Sequence, residues 1–210
     1  MSDTETTKTA FIICGALGRE VLDIISKYGW NVDVVGVSAT DHMLPHLIAP
    51  DVEKRILQLR DQYARLVVVF GDCGSNGALD EVLAKYDIPR IAGPHCYEMY
   101  GQQQFHTMMD DQPGTFFLTD FLVRAFKGAV MKGLGLDRYP ELAEDYFRHY
   151  TRVVYLVQRH DPKLIEKAES IAKYLKLPLE VQQTGYGWLE TRLVDLMEPD
   201  SASNEKTETA

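Results

Sequence analysis

Residues 65–77 read RLVVVFGDCGSNG, and this stretch decides the fold. From Leu66 to Phe70 every residue is apolar, and Val67, Val68 and Val69 are β-branched, with no polar alternation that would leave one face in water. A strand of that kind is buried on both faces, the condition of a central strand in a parallel sheet covered by helices. GDCGSNG then supplies a turn, and Leu79, Val82, Leu83 and Tyr86 follow at i, i+3, i+4 and i+7. The unit reads strand, turn, helix, with Ser75 or Asn76 as the helix cap.

The same unit recurs on either side. Thr9 to Cys14 (TAFIIC) is a short apolar run, and Val21, Leu22, Ile24, Ile25 and Tyr28 make a helical stripe after it. Asn31 to Val37 predicts a second strand, and Pro50 with Asp51 predicts the start of a helix carrying Val52, Ile56, Leu59 and Tyr63. Ile88 to Ala92, with Pro89 near its start, reads as a weaker strand in an outer position. Gly93 to Pro113 shows no periodicity and reads as a long loop. Leu118, Phe121, Leu122, Ala125, Phe126 and Ala129 predict an apolar helix face, followed by a second helix around Pro140 to His149. Arg152 to Gln158 predicts a buried strand, Asp161 and Pro162 the cap and first turn of a helix, and Leu177 to Gln182 the last strand. Strands alternating with helices across short connections define an α/β fold: a doubly wound, mostly parallel, Rossmann-like sheet with helices on both faces. The expected organisation is a single domain over 9–198, with polar tails at 1–8 and 199–210.

Composition narrows the function. The chain has 210 residues and a net charge of −9, with 45% hydrophobic and 25% charged residues, which excludes a disordered or collagenous chain. An acidic surface repels phosphate backbones and anionic lipid, so neither nucleic acid nor membrane is an expected partner. Three cysteines are too few and too odd in number for a disulfide scaffold, and the polar start of the chain shows no apolar leader. The expected compartment is a reducing cytoplasm, where thiols stay free to react or bind metal.

The position of those cysteines is the strongest functional signal. Cys14 closes the first strand, Cys73 lies just past the central one, and Cys96 follows the weak strand at Ile88–Ala92. In a parallel sheet the C-terminal strand ends share one edge, and ligands bind in the crevice there. Cys14 and Cys73 also precede helices, whose unpaired amides favour a thiolate. One free cysteine is most often a small buried hydrophobe, but three in glycine-flanked loops on one edge point to a shared metal or reactive site. Three thiolates suit a [4Fe–4S] cluster with one open iron, and thiolates with an imidazole suit zinc. His95 and His46 are the leading imidazoles, with His42 and His106 behind them. Gly15, Gly71 and Gly74 permit close approach of a ligand to the backbone, although neither CGALG nor GDCGSNG matches a dinucleotide fingerprint. Gly185 and Tyr186, after the last strand, are a third ligand-facing segment, and Asp72 and Glu98 are candidate carboxylates beside the thiols. No nucleophile elbow or P-loop is present, so no catalytic residue is assigned.

The segments FIICGAL, VVVFGDCG, HCYE, PGTFFLTDFL, HYTRVVYLVQ and LPLEVQQTGYGWLE together resemble domain-of-unknown-function family 1638, over about residues 9–193. The resemblance implies that Cys14, Cys73 and Cys96 stand at the family's cysteine positions. It also implies a setting, because members are often encoded beside corrinoid proteins, trimethylamine-type methyltransferases and reductive activators of corrinoid. The expected function is thus a metal-binding, three-cysteine protein, iron–sulfur or zinc, that assists corrinoid-dependent one-carbon or methyl-transfer metabolism. If it is an enzyme, the chemistry is methyl transfer or metal-cluster chemistry. The expected partner is a corrinoid protein or a methyltransferase, and the alternative function is a non-catalytic module that docks a corrinoid protein or a small ligand in the same crevice. A metal-free methyltransferase with a cysteine acceptor ranks third, since no single thiol stands out as the nucleophile.

Overall fold

The computed structural model describes residues 8–198. The two expected tails lie outside these residues except for Lys8, whose ammonium pairs with Asp33 at 2.7 Å. The chain divides into two compact units, one running to Cys96 and resuming at Trp188, the other Tyr97–Gly187.

In the first unit, β1 (Thr9–Cys14), β2 (Val32–Val37) and β3 (Arg65–Val69) form an all-parallel sheet in the order β2-β1-β3. Phe11 of β1 stands opposite Val34 of β2 and Val67 of β3. Five consecutive residues of β1, Ala10–Cys14, are buried, and successive side chains point to opposite faces, so both faces are covered. The covering helices are α1 (Gly18–Tyr28), α2 (Ile48–Leu59) and α3 (Ala78–Tyr86). Val21 and Ile24 of α1, Val52 and Ile56 of α2, and Leu79 of α3 are fully buried. Each such side chain contributes about 1.5–3 kcal/mol through the apolar area it removes from water.

The strand order has a functional consequence. The chain steps from β1 outward to β2, then crosses back over β1 to β3. Right-handed crossovers in opposite directions put their helices on opposite faces and open a crevice between β1 and β3 at the C-terminal edge.

In the second unit the strands run in simple succession. After α4 (Cys96–Asp111), which joins the two units in sequence, β4 (Thr115–Leu118), β5 (Arg152–Val157) and β6 (Leu179–Gln183) form a parallel sheet in the order β4-β5-β6. Between them lie α5 (Asp120–Phe126), a π-helical turn Lys127–Lys132, α6 (Leu142–Phe147) and α7 (Pro162–Leu175). Phe116 meets Phe126, Phe147 and Tyr150 edge to face at centroid distances of 6.5, 5.5 and 5.3 Å, the favoured geometry for ring quadrupoles. The chain ends its described course in α8 (Gly187–Met197).

The α/β class with parallel strands wound by helices is therefore as expected, while several elements differ. Gly93–Pro113 is mostly helical, not a loop, because α4 is broken at Gln102 (φ 53°, ψ −140°), and a break in mid-helix erases a continuous stripe. Leu118 ends a strand rather than opening a helix. TFFL is too short to betray its period, and Thr119 starts α5 by accepting from the Leu122 amide at 3.2 Å. The Ile88–Ala92 strand shrinks to one parallel bridge between Arg90 and Val68. Gly77, not Ser75 or Asn76, stands at the N-cap of α3.

Candidate functional site

The crevice between β1 and β3 is built by two loops with little freedom. Cys14 ends β1 opposite Val37 and caps the 3-10 turn Gly15–Leu17, its sulfur accepting from the Ala16 amide at 3.4 Å. A Cβ on Gly15 would sit 3.1 Å from the Val37 carbonyl oxygen, so the turn depends on glycine at that close approach.

On the other side, Gly71–Gly74 runs against residues 93–95. The Cys73 amide donates to the Pro94 carbonyl at 2.7 Å and the Asp72 amide to the Gly93 carbonyl at 3.3 Å. A Cβ on Gly71 would lie 2.8 Å from His95 Cα, which only glycine avoids. The segment leading into Cys96 is thereby fixed beside the segment carrying Cys73. Cys73 itself has φ 48°, a strained left-handed conformation for a residue with a Cβ.

Asp72 organises this loop. Its Oδ1 accepts from the Ser75 hydroxyl at 2.7 Å and the Gly77 amide at 3.0 Å, and its Oδ2 accepts from the amides of Gly74 and Asn76 at 3.2 and 3.3 Å. Those donors, the Gly77 amide first, hold its carboxyl below the usual carboxylate range. Its oxygens are committed to its own loop, which also explains why Ser75 and Asn76 do not cap α3.

His42 is an imidazole that reaches Cys14. It lies in the 3-10 segment Ala39–Met43 after β2, stacked on Phe70 with ring centroids 5.7 Å apart. Its Nε2 is 4.0 Å from Cys14 Sγ, and its Nδ1 is 3.0 Å from the Ala39 carbonyl. A carbonyl only accepts, so Nδ1 carries the proton and the Nε2 lone pair faces the thiol. Burial lowers the His42 pKa and keeps the ring neutral.

Both crevice thiols are held in the protonated form. Burial pushes Cys14 up to about 12 against the Ala16 and Leu17 amides that oppose it. Burial, then the Cys14 and Asp72 charges, push Cys73 up to about 12. The helix N-termini expected to favour thiolates are outweighed by desolvation.

Of the other candidates, His46 is exposed in the 3-10 turn Pro45–Leu47, while His95 and Cys96 are half-buried. Gly74 (φ +87°) places its backbone against Pro45, 3.4 Å from a would-be Cβ. Gly185 and Tyr186 belong to the second unit, as do Glu98 and His106, which approach each other at 3.9 Å. The Thr184 and Gly185 amides both donate to the Val157 carbonyl, at 3.0 and 3.1 Å, forming a turn after β6. Among the described residues no three His, Cys, Asp or Glu side chains converge closely enough to hold a metal ion.

Two carboxylates escaped the sequence reading. Asp41, beside His42, is 6% exposed, and its buried Oδ2 has no hydrogen-bond partner. Burial and the neighbouring Asp51 carboxylate hold its pKa above the usual range. Asp120 in the second unit is fully buried but saturated. It accepts from the Tyr155 hydroxyl at 2.8 Å and from the Gln158 and Arg159 amides, both at 3.2 Å. Only the Asp next to a helix start, without a partner in sequence, signalled either one.

A parallel α/β unit with a thiol and imidazole cluster at its switch point is the class that fold and site define. The chain belongs to the family described as protein of unknown function (DUF1638), whose profile matches residues 37–193. Cys73 and Cys96 lie within the match, whereas β1 and Cys14 precede it. No curated protein and no solved structure matches the chain. No helix among the described residues is long and apolar enough to cross a membrane.

Proposed function

We propose that the C-terminal edge of the β2-β1-β3 sheet is the working site, and that its thiols hold a thiophilic metal centre, zinc or an iron–sulfur cluster, in the service of one-carbon or methyl-transfer chemistry in the cytoplasm. The observation that carries this reading is the grouping of Cys14 Sγ, His42 Nε2 at 4.0 Å and the electrostatically coupled Cys73 at one switch point. The donor types fit: two thiols, a third on the adjoining segment, and a neutral imidazole whose other nitrogen is anchored on a carbonyl, the usual outer support of a metal-bound histidine. No three donors converge among the described residues, so binding would require the ligand side chains to move together. Bound metal would supply the positive charge that converts these thiols to thiolates, releasing protons. Cys14, Cys73 and Cys96 would be the thiolate ligands and His42 the imidazole, in place of His46 or His95. The link to corrinoid proteins or methyltransferases rests on the resemblance alone.

The second reading, a metal-free docking crevice for a small ligand or partner protein, draws on the same spacing and on the protonated thiols. The two are separated by purifying the protein anaerobically and measuring metal and sulfide together with the visible spectrum. Under the metal reading Cys14→Ser and Cys73→Ser each lose metal. Under the docking reading neither substitution changes partner binding.

A further inference from the structure

The outer edge of β2 is a surface that the thiol site does not use. β2 (Val32–Val37) stands at one end of the β2-β1-β3 sheet, and among the described residues no strand pairs with its outer side. The outward N–H and C=O groups of such a strand are a template for another. Proteins blunt exposed edges with lysine, proline, bulges or projecting charges, and VDVVGV contains neither lysine nor proline. All six of its residues pair with β1 in unbroken register, so no bulge bends the edge. Asp33, the one charged residue of the strand, is neutralised within its own unit by the Lys8 ammonium and the Tyr63 hydroxyl, both at 2.7 Å. What remains is a regular, valine-rich edge.

We propose that this edge is the interface with a second copy of the chain, the two β2 strands pairing antiparallel about a two-fold axis. An axis perpendicular to the sheet keeps every side chain on its own face, so only residues of one face can stand opposite each other, and the register centres on a single residue. Centring on Asp33 would set carboxylate against carboxylate, which repulsion disfavours. Exposure selects the next position: Val32 to Val35 are half-buried and Gly36 is exposed, whereas Val37 is 4% exposed, so the open segment runs from 32 to 36 with Val34 at its middle. In that register Val34 faces Val34 of the second copy, Asp33 faces Val35 and Val32 faces Gly36. Valines meet across the axis and no charge faces a like charge, the conditions under which cross-strand pairs stabilise a sheet. The fit of the strand to its own reverse is what argues for a second copy. Two three-stranded sheets then become one of six strands, within the common size. The two-fold turns the C-terminal edges to opposite ends of the joined sheet, so each copy keeps its own thiol site, and the inference does not depend on that site being occupied.

The test is sedimentation equilibrium of the full chain, in which a reversible dimer is expected. Val34→Lys sets two ammonium groups against each other on the axis and is expected to weaken the dimer at least about tenfold. Gly36→Lys is expected to weaken it in the same direction and keeps the test decisive if Val34→Lys does not fold, because Gly36 is exposed and a Cβ there meets nothing within 4 Å. Under mild oxidation by oxidised glutathione, Val34→Cys is expected to cross-link into a covalent dimer, and Val35→Cys, which stands opposite Asp33, far less. A monomeric unsubstituted protein overturns the proposal. So does a dimer that keeps its strength in both lysine variants, or one in which Val34→Cys cross-links no better than Val35→Cys.

Discussion

At the residue scale the crevice is governed by desolvation opposing local donors. Cys14 and Cys73, both pushed up to about 12, carry on the order of a thousandfold less thiolate at neutral pH than an ordinary cysteine. In the metal-free protein, iodoacetamide at pH 7.5 is expected to modify both far more slowly than free cysteine, as followed by mass spectrometry. Rapid labelling of Cys14 would contradict its burial at 3% exposure. Asp72 shows the opposite balance, since its four donors outweigh its burial. Asp72→Ala strips the 71–77 loop of these bonds and is expected to cost about 1–2 kcal/mol, as loss of a helix cap does, measured by urea denaturation. The sign with pH follows from its lowered folded-state value. The stabilisation is present above the ordinary carboxylate range near 4 and is lost as pH falls through the folded-state pKa. The gap between wild type and Asp72→Ala should therefore close on acidification below about pH 4.

At the element scale the fold depends on a few places where backbone meets backbone. Gly187, at the start of α8, has φ +51°, and a Cβ there would fall 2.6 Å from the Met99 carbonyl oxygen and 2.7 Å from that of Tyr100. Gly187→Ala adds left-handed strain to that clash and should lower stability by more than about 2 kcal/mol, read as a shift in the thermal midpoint. Elements of this kind also separate what was legible in the sequence from what was not. β1, β3, β5 and α7 are readable from composition alone, because a continuous buried β-branched run or an Asp-Pro start has one interpretation. α4 was not, because the break at Gln102 interrupts its stripe, and β4 was not, because four apolar residues have no period. In the site, the edge positions of Cys14 and Cys73 follow from strand ends. The approach of His42 to Cys14 does not, since that depends on a 3-10 turn and a stack on Phe70.

At the scale of the whole molecule, the described residues build two parallel α/β units, and among them only the first unit has a reversal of strand order. The logic of such reversals puts ligands at the β1/β3 switch point, where the buried Cys14 and the half-buried Cys73 are found. The net charge of −9 leaves a poor surface for nucleic acid, and gel-shift assays at about 150 mM salt should show no binding. The central claim is the metal–thiol centre. It is tested most directly by metal and acid-labile sulfide analysis, with visible spectra, of protein purified without oxygen, alongside Cys14→Ser and Cys73→Ser. The account predicts either about one zinc per chain or a brown protein with matching iron and sulfide, reduced in both variants. A colourless, metal-free protein whose folding is untouched by either substitution would contradict it.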